Sequence, residues 1–177
     1  MKLAIRAADA TDVPAIHALA ERAVAKMLTD YYSPAQLAAG EQTQLYQVEP
    51  ELIADGTYYV IEVDGSIVGG SGWSHRGTFH PPGAVSDHTT DPGTATMRAT
   101  YVDPRWTRRG FARLLAQVTE TAAAIAGFRR FEAMCTPPSE ALRRSMGYEL
   151  VERMDVPVLG DISWSAALMR KEIVDNV

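Results

Sequence analysis

The chain has 177 residues, a net charge of −5, 46% hydrophobic and 22% charged residues, and one cysteine, Cys135. This balance suits a soluble globular protein of one domain spanning 1–177, which buries about two-thirds of its unfolded surface without help from a metal or a disulfide. A lone cysteine allows no intrachain disulfide and fits a reducing cytoplasm, and the acidic balance argues against nucleic-acid or membrane-surface binding, which needs clustered cations.

The N-terminal residues Met1–Arg6 run at once into polar Asp9, Thr11 and Asp12. With no apolar h-region there, a signal peptide is not expected, and the longest apolar stretch, 121–127, is too short to cross a bilayer. Lys2–Arg6 alternates as a first strand. A helix follows with Thr11 as its cap and apolar residues at helical spacing from Val13 to Met27; Pro14 is tolerated in its first turn. Ser33-Pro34-Ala35-Gln36 is a capping box with proline at the first helical position, so a second helix runs from about 34 to the mid-forties.

The period then changes. Thr57–Val63 is rich in tyrosine and β-branched residues, Asp64-Gly65 is a hairpin turn, and Ser66–Trp73 is the partner strand. Residues 74–93 read as a long loop, a feature that is usually functional or disordered. Ala95–Val102 is a strand and Arg108–Ala126 a helix with a stripe of Phe111, Leu114, Leu115, Val118 and Ala122, ended by Gly127. Phe128–Cys135 is a strand, Ser139–Met146 a short helix, and Tyr148–Val156 and Ile162–Met169 close the chain as strands. The order β-α-α-β-β-β-α-β-α-β-β describes a three-layer α/β fold around a sheet of mixed direction.

The most informative segment lies between the strand ending at Val102 and the helix that follows. Arg105, Arg108, Arg109 and Arg113 fall within nine residues of an otherwise acidic chain. The first N–H groups of a helix have no partner and lie at the positive end of its dipole, so they attract phosphate oxygens. Gly110 allows close approach to the backbone, and flanking arginines add charge-assisted contacts. An ordinary strand-loop-helix with a solvated basic start would show the same residues.

Val102-Asp103-Pro104 followed by Thr107-Arg108-Arg109-Gly110-Phe111-Ala112 resembles the Val-x-Pro strand end and Arg/Gln-x-x-Gly-x-Gly/Ala turn of the GNAT (GCN5-related N-acetyltransferase) superfamily. Ile5-Arg6-Ala7-Ala8-Asp9-Ala10, Tyr32-Ser33-Pro34-Ala35-Gln36-Leu37 and Met146-Gly147-Tyr148 look like further family segments, so the resemblance runs over nearly the whole chain. It implies a mixed, mostly antiparallel sheet with helices on both faces. It also implies acetyl-CoA or another acyl-CoA lying between two splayed strands, and transfer of the acyl group to an amine acceptor. By that resemblance Thr100, Tyr101 and Val102 meet the pantetheine arm, and Thr107, Arg108, Arg109, Gly110, Phe111, Ala112 and Arg113 surround the pyrophosphate. Homodimers are frequent in the family, which admits a homodimer here.

Three positions depart from the family pattern. Thr107 stands where Arg or Gln is usual, which shifts a phosphate contact to Arg108 or Arg105. Arg143 stands where many members have a tyrosine that protonates the departing thiolate; arginine cannot act as an ordinary acid but can stabilise a thiolate electrostatically. Thr96 stands where some members carry a base glutamate. No general acid or base is therefore assigned from the sequence, and a non-catalytic acyl-CoA-binding module is the alternative to an enzyme.

Other residues invite weaker readings. His75, His80 and His88 with Asp87 match no metal-ligand spacing, so no metal is expected, although His75 or His88 could serve as a base through water. Cys135 reads as core packing rather than a nucleophile. Tyr31, Tyr32, Trp73 and Arg98 are candidates for the acceptor wall. A charge inside a central strand, as at Arg98, is unusual unless it is paired or faces a cleft, and in a cleft it would suit an acidic group on the acceptor.

Overall fold

The computed structural model describes residues 1–76 and 91–174. Among them, seven strands form one sheet: β1 (Leu3–Ala7), β2 (Tyr58–Val63), β3 (Ser66–Ser74), β4 (Thr94–Val102), β5 (Arg130–Cys135), β6 (Glu149–Leu159) and β7 (Ile162–Glu172). Their order is β1-β2-β3-β4-β5-β7-β6, and every neighbouring pair is antiparallel except β4 with β5. Five helices accompany them: α1 (Val13–Met27), α2 (Pro34–Gln42), α3 (Pro50–Ala54), α4 (Phe111–Ile125) and α5 (Pro137–Ser145). The mixed, mostly antiparallel three-layer α/β fold expected from the sequence is present. No helix of the described residues is long and apolar enough to cross a membrane.

Alternate residues of β2 show how the layers form. Tyr58 and Val60 pack with Ile16 of α1 and Leu52 of α3, whereas Ile61 and Val63 pack with Phe111 and Leu115 of α4. Successive side chains of a strand point to opposite faces, so α1 and α3 cover one face and α4 the other. Trp164 of β7 joins Val24, Leu28 and Tyr32 to extend the first layer, and Ala123 of α4 packs with Cys135 and Tyr148 in the second.

Local chemistry sets the boundaries. The Ser33–Gln36 capping box forms with both reciprocal hydrogen bonds, at 3.2 and 2.8 Å. Asp9, rather than Thr11, caps the entry to α1: it closes a 3-10 turn over Ala10–Asp12 by accepting from the Thr11 N–H at 2.8 Å. The buried face of α4 is also shifted from the apolar stripe. Thr119 and Glu120 are buried while Leu114 and Val118 are half-buried. Polar residues can occupy that face because Thr119 Oγ1 donates back to the Ala116 carbonyl at 2.9 Å and Glu120 accepts from Lys171 at 2.7 Å.

The decisive local feature is a bulge in β4. Gly72 pairs with Arg98 but Gly70 pairs with Tyr101, so two residues of β4, Ala99 and Thr100, oppose Ser71 alone. Ala99 takes a left-handed φ of 48°, a conformation that costs a residue with a Cβ roughly 1 kcal/mol or more. Tyr58 holds it there. Its hydroxyl donates to the Ala99 carbonyl at 2.9 Å, and its ring lies over Gly70 and Gly72, where any Cβ would come within 2.6 and 2.7 Å of it. We expect Tyr58→Phe to lower stability by about 1–2 kcal/mol, because the half-buried Ala99 carbonyl loses its donor. Denaturant unfolding checks this, with an unchanged midpoint as the contrary result.

Candidate functional site

β4 and β5 pair in register only from Thr94–Arg130 to Met97–Ala133. Beyond that point the bulge carries β4 away and the strands diverge. The gap is a cleft of about 880 Å³, walled by the ends of β4 and β5, by α5, by the end of α1, and by the segment from Leu45 to Glu49. Backbone groups of β4 that would have served β5 face this space.

At one end of the cleft lies the arginine-rich turn. Gly110 is the residue before α4, with φ 84°, and Arg108 is also left-handed at 60°. No side chain caps the helix, and its first hydrogen bond runs from Leu114 N–H to the Gly110 carbonyl at 2.9 Å. The N–H groups of Phe111, Ala112 and Arg113 therefore have no intrahelical partner. Together with the helix dipole they suit an anion. Arg108, Gly110, Phe111, Ala112 and Arg113 all line the cleft, and Thr107 does too, with its hydroxyl donated to the Pro104 carbonyl at 3.1 Å.

Two arginines of the cluster are occupied elsewhere. Arg109 lies over the Trp106 ring at 4.7 Å and is not among the cleft-lining residues. Arg105 clasps Asp103 at 2.9 Å, so it is not placed to take the contact that Thr107 lacks. Asp103 is 1% exposed and also pairs with Arg22 of α1 at 3.1 Å. The Arg105 side chain first, then its backbone N–H, holds the Asp103 carboxyl well below the usual carboxylate range. A depressed folded-state pKa means that the unfolded chain binds more protons in acid. The stabilisation is thus complete above about pH 5, begins to fall below about pH 4, and is lost only as the pH drops on through the depressed folded-state value. We expect Asp103→Asn to lower stability at pH 7 and to flatten part of the fall in Tm between pH 5 and 3; an unaltered acid slope would contradict this.

Arg143 of α5 reaches the opposite wall and is 4% exposed. Its guanidinium lies 3.4 Å from Thr100 Oγ1, 3.5 Å from the Tyr148 hydroxyl and 3.7 Å from Glu120. Glu120 is more tightly paired with Lys171, at 2.7 Å. Two cations thus share one carboxylate, and the surplus positive charge sits on the cleft side. Cys135 lies nearby, but burial pushes its thiol up to about 11, so it carries almost no thiolate at neutral pH.

The candidates for the acceptor wall separate. Arg98 lines the cleft and is ion-paired with Glu49, with side chains 9% and 13% exposed. Tyr32 borders the cleft but is fixed by stacking on Trp164 at 4.4 Å and by donating to the Ser165 carbonyl at 2.7 Å; burial raises its hydroxyl to about 12. Tyr31 is 51% exposed and outside the cleft. Trp73 is also outside it, buried against Phe128 and Met97. Tyr31 departs from the expectation because its neighbour Tyr32 faces the space, and Trp73 because β3 contributes no residue to the cleft lining. His75 stacks on Phe128, while His80, His88 and Asp87 lie outside the described residues. No cluster of three metal-ligating side chains occurs among the described residues. Glu49 was not singled out from sequence; the only local signal is Glu49-Pro50, a helix start too short to show periodicity.

Fold and cleft together define an α/β protein whose ligand space is a wedge between two parallel strands, with an open helix N-terminus at its end. The family model for acetyltransferases of the GNAT family matches residues 22–148. The chain belongs to that family. A comparison with curated proteins finds no match. Among solved structures, the PaiA N-acetyltransferase of Thermoplasma acidophilum in complex with coenzyme A is 12% identical, with a TM-score of 0.70 over 98% of this chain and 100% of that one. A phosphinothricin acetyltransferase of Sinorhizobium meliloti in complex with acetyl-CoA is 21% identical, TM-score 0.66, covering 98% and 89%. YncA of Salmonella typhimurium, a putative acetyltransferase solved with acetyl-CoA, is 20% identical, TM-score 0.63, covering 100% and 97%. At these identities the likeness is one of fold.

Proposed function

We propose that this protein is an acyl-CoA-dependent N-acyltransferase that moves acetyl from acetyl-CoA to a primary amine by direct attack. The observation that carries the reading is the wedge between β4 and β5, which opens at Met97–Ala133 and ends on the uncapped N-terminus of α4. Similar folds solved with coenzyme A or acetyl-CoA support the same cofactor.

In this reading the N–H groups of Phe111, Ala112 and Arg113 receive the pyrophosphate, with Arg108 and Arg113 adding charge. The open edge of β4 from Thr100 to Val102 takes the pantetheine amides, which places the thioester toward the point where the strands part. The acceptor amine, once neutral, attacks the carbonyl carbon; the C–S bond breaks and its electron pair leaves on sulfur. Arg143 faces that sulfur and stabilises the thiolate, so no acidic tyrosine is needed. Positioning two reactants in one cleft supplies much of the remaining rate.

A thiol-release assay with acetyl-CoA and a broad amine panel tests the reading. Release above the hydrolysis background is expected. Acetyl-CoA binding without release across the panel would favour a non-catalytic acyl-CoA-binding module, and no acetyl-CoA binding would overturn both.

A further inference from the structure

Resting on acyl transfer as the reaction of the cleft, with Arg143 facing the departing sulfur, we infer that Lys171 is a positioning residue for that reaction. It lies outside the cleft and acts through Glu120, setting how much positive charge Arg143 presents to the leaving group. The three residues come from three elements: Glu120 from the buried face of α4, Arg143 from α5, and Lys171 from β7, where it pairs with Phe131 of β5. Arg143 lines the cleft, and Glu120 and Lys171 do not. Glu120 and Arg143 are buried, whereas the Lys171 side chain keeps 25% of its surface exposed.

The two cations hold the carboxylate unequally. Glu120 Oε2 accepts from Lys171 Nζ at 2.7 Å, while Oε1 stands 3.7 Å from Arg143 Nη1. The other polar contacts of the Arg143 guanidinium among the described residues are neutral: Thr100 Oγ1 at 3.4 Å and the Tyr148 hydroxyl at 3.5 Å. The Tyr148 ring packs under both cations, 5.2 Å from the Arg143 guanidinium and 5.7 Å from Lys171 Nζ.

Two cations and one carboxylate leave one surplus positive charge, and the short contact with Lys171 leaves most of it on the arginine. Unit charges act strongly on one another across such distances in a water-poor interior. Without Lys171 the carboxylate would belong to Arg143 alone, on the side away from the cleft. The thiolate formed as the C–S bond breaks would then meet a compensated ion pair instead of a cation in need of a counter-charge. Packing does not call for the third charge, because Glu120 and Arg143 would balance each other, and drawing another ammonium toward a buried pair costs desolvation. Lys171 thus stabilises the leaving group without touching it.

Steady-state thiol release is measured with acetyl-CoA and the panel amine that gives the fastest release, with Tm recorded for every variant. Lys171→Met should lower kcat about tenfold and leave KM for acetyl-CoA within about threefold. Adding Glu120→Gln to it should bring kcat back to within about threefold of wild type, because one surplus charge is restored. A purely structural role predicts a further loss when a second member of the network goes. In the Arg143→Met background, Lys171→Met should change kcat by less than about twofold, since the group it acts through is gone. Glu120→Gln alone keeps both cations and should raise kcat, so it reads the charge balance even where Lys171→Met does not fold. Wild-type kcat in Lys171→Met, no recovery in the double variant, a full loss in the Arg143→Met background or a fall with Glu120→Gln overturns the role of Lys171 and leaves acyl transfer standing. Failure of the wild-type protein to release thiol with any amine, despite acetyl-CoA binding, overturns acyl transfer itself and the role of Lys171 with it.

Discussion

Replacing Arg143 by methionine should lower kcat for acetyl transfer about 100-fold while leaving KM for acetyl-CoA within about threefold. The guanidinium is buried beside Thr100 at the cleft wall, and among the described residues the carboxylate it pairs with, Glu120, is held more closely by Lys171. Its charge is therefore only partly neutralised within the protein. In the proposed reaction a thiolate forms only as the C–S bond breaks, so Arg143 would act on the transition state and on the leaving group but little on the bound thioester. Methionine keeps an unbranched apolar stem while Lys171 keeps Glu120 paired, which limits the damage to the fold. Arg143→Lys should recover part of the rate. Steady-state kinetics in both reactants decides the matter: a rise in KM with kcat unchanged would show that Arg143 binds the cofactor instead.

Gly110→Val should weaken acetyl-CoA binding at least about 100-fold, a loss of roughly 3 kcal/mol. Two effects add. A β-branched residue at φ 84° is strained, and its side chain would enter open space beside the free N–H groups of α4. That space is the one the pyrophosphate is proposed to fill. Gly127→Val separates the two effects, because Gly127 has φ 100°, equally open surroundings and a place at the opposite end of the same helix. Both variants should lose stability, but only Gly110→Val should lose cofactor affinity in a calorimetric titration. Equal affinities would refute the turn as the phosphate site.

The strands and the longer helices were legible because their signals are local. The Ser33–Gln36 box, the Asp64-Gly65 turn and the alternation around Tyr58 each fix an element from within a few residues. α3 was missed because five residues make barely one turn and show no period. The cap at Asp9 was misplaced by two residues because Asp and Thr both cap well. The phosphate turn was visible for the same local reason, yet the division of labour among its arginines was not. Arg105 is claimed by Asp103, which also pairs with Arg22, 81 residues away. The partnership of Arg98 with Glu49, 49 residues apart, and that of Tyr58 with Ala99, 41 apart, belong to the tertiary fold and leave no trace in spacing.

The bulge at Ala99–Thr100 has a consequence for how such a cleft can change. In an unbroken strand, residues three apart lie on opposite faces, yet Arg98 and Tyr101 sit opposite Gly72 and Gly70 and so share one face. The extra residue acts as a parity switch. Removing it would leave Arg98 and Tyr101 two positions apart and still on one face, opposite Gly72 and Gly70, while straightening β4 toward β5 and narrowing the wedge. A one-residue deletion at the bulge would therefore change the shape of the cleft while keeping the side chains that flank it in register, a change that no single substitution in β4 makes.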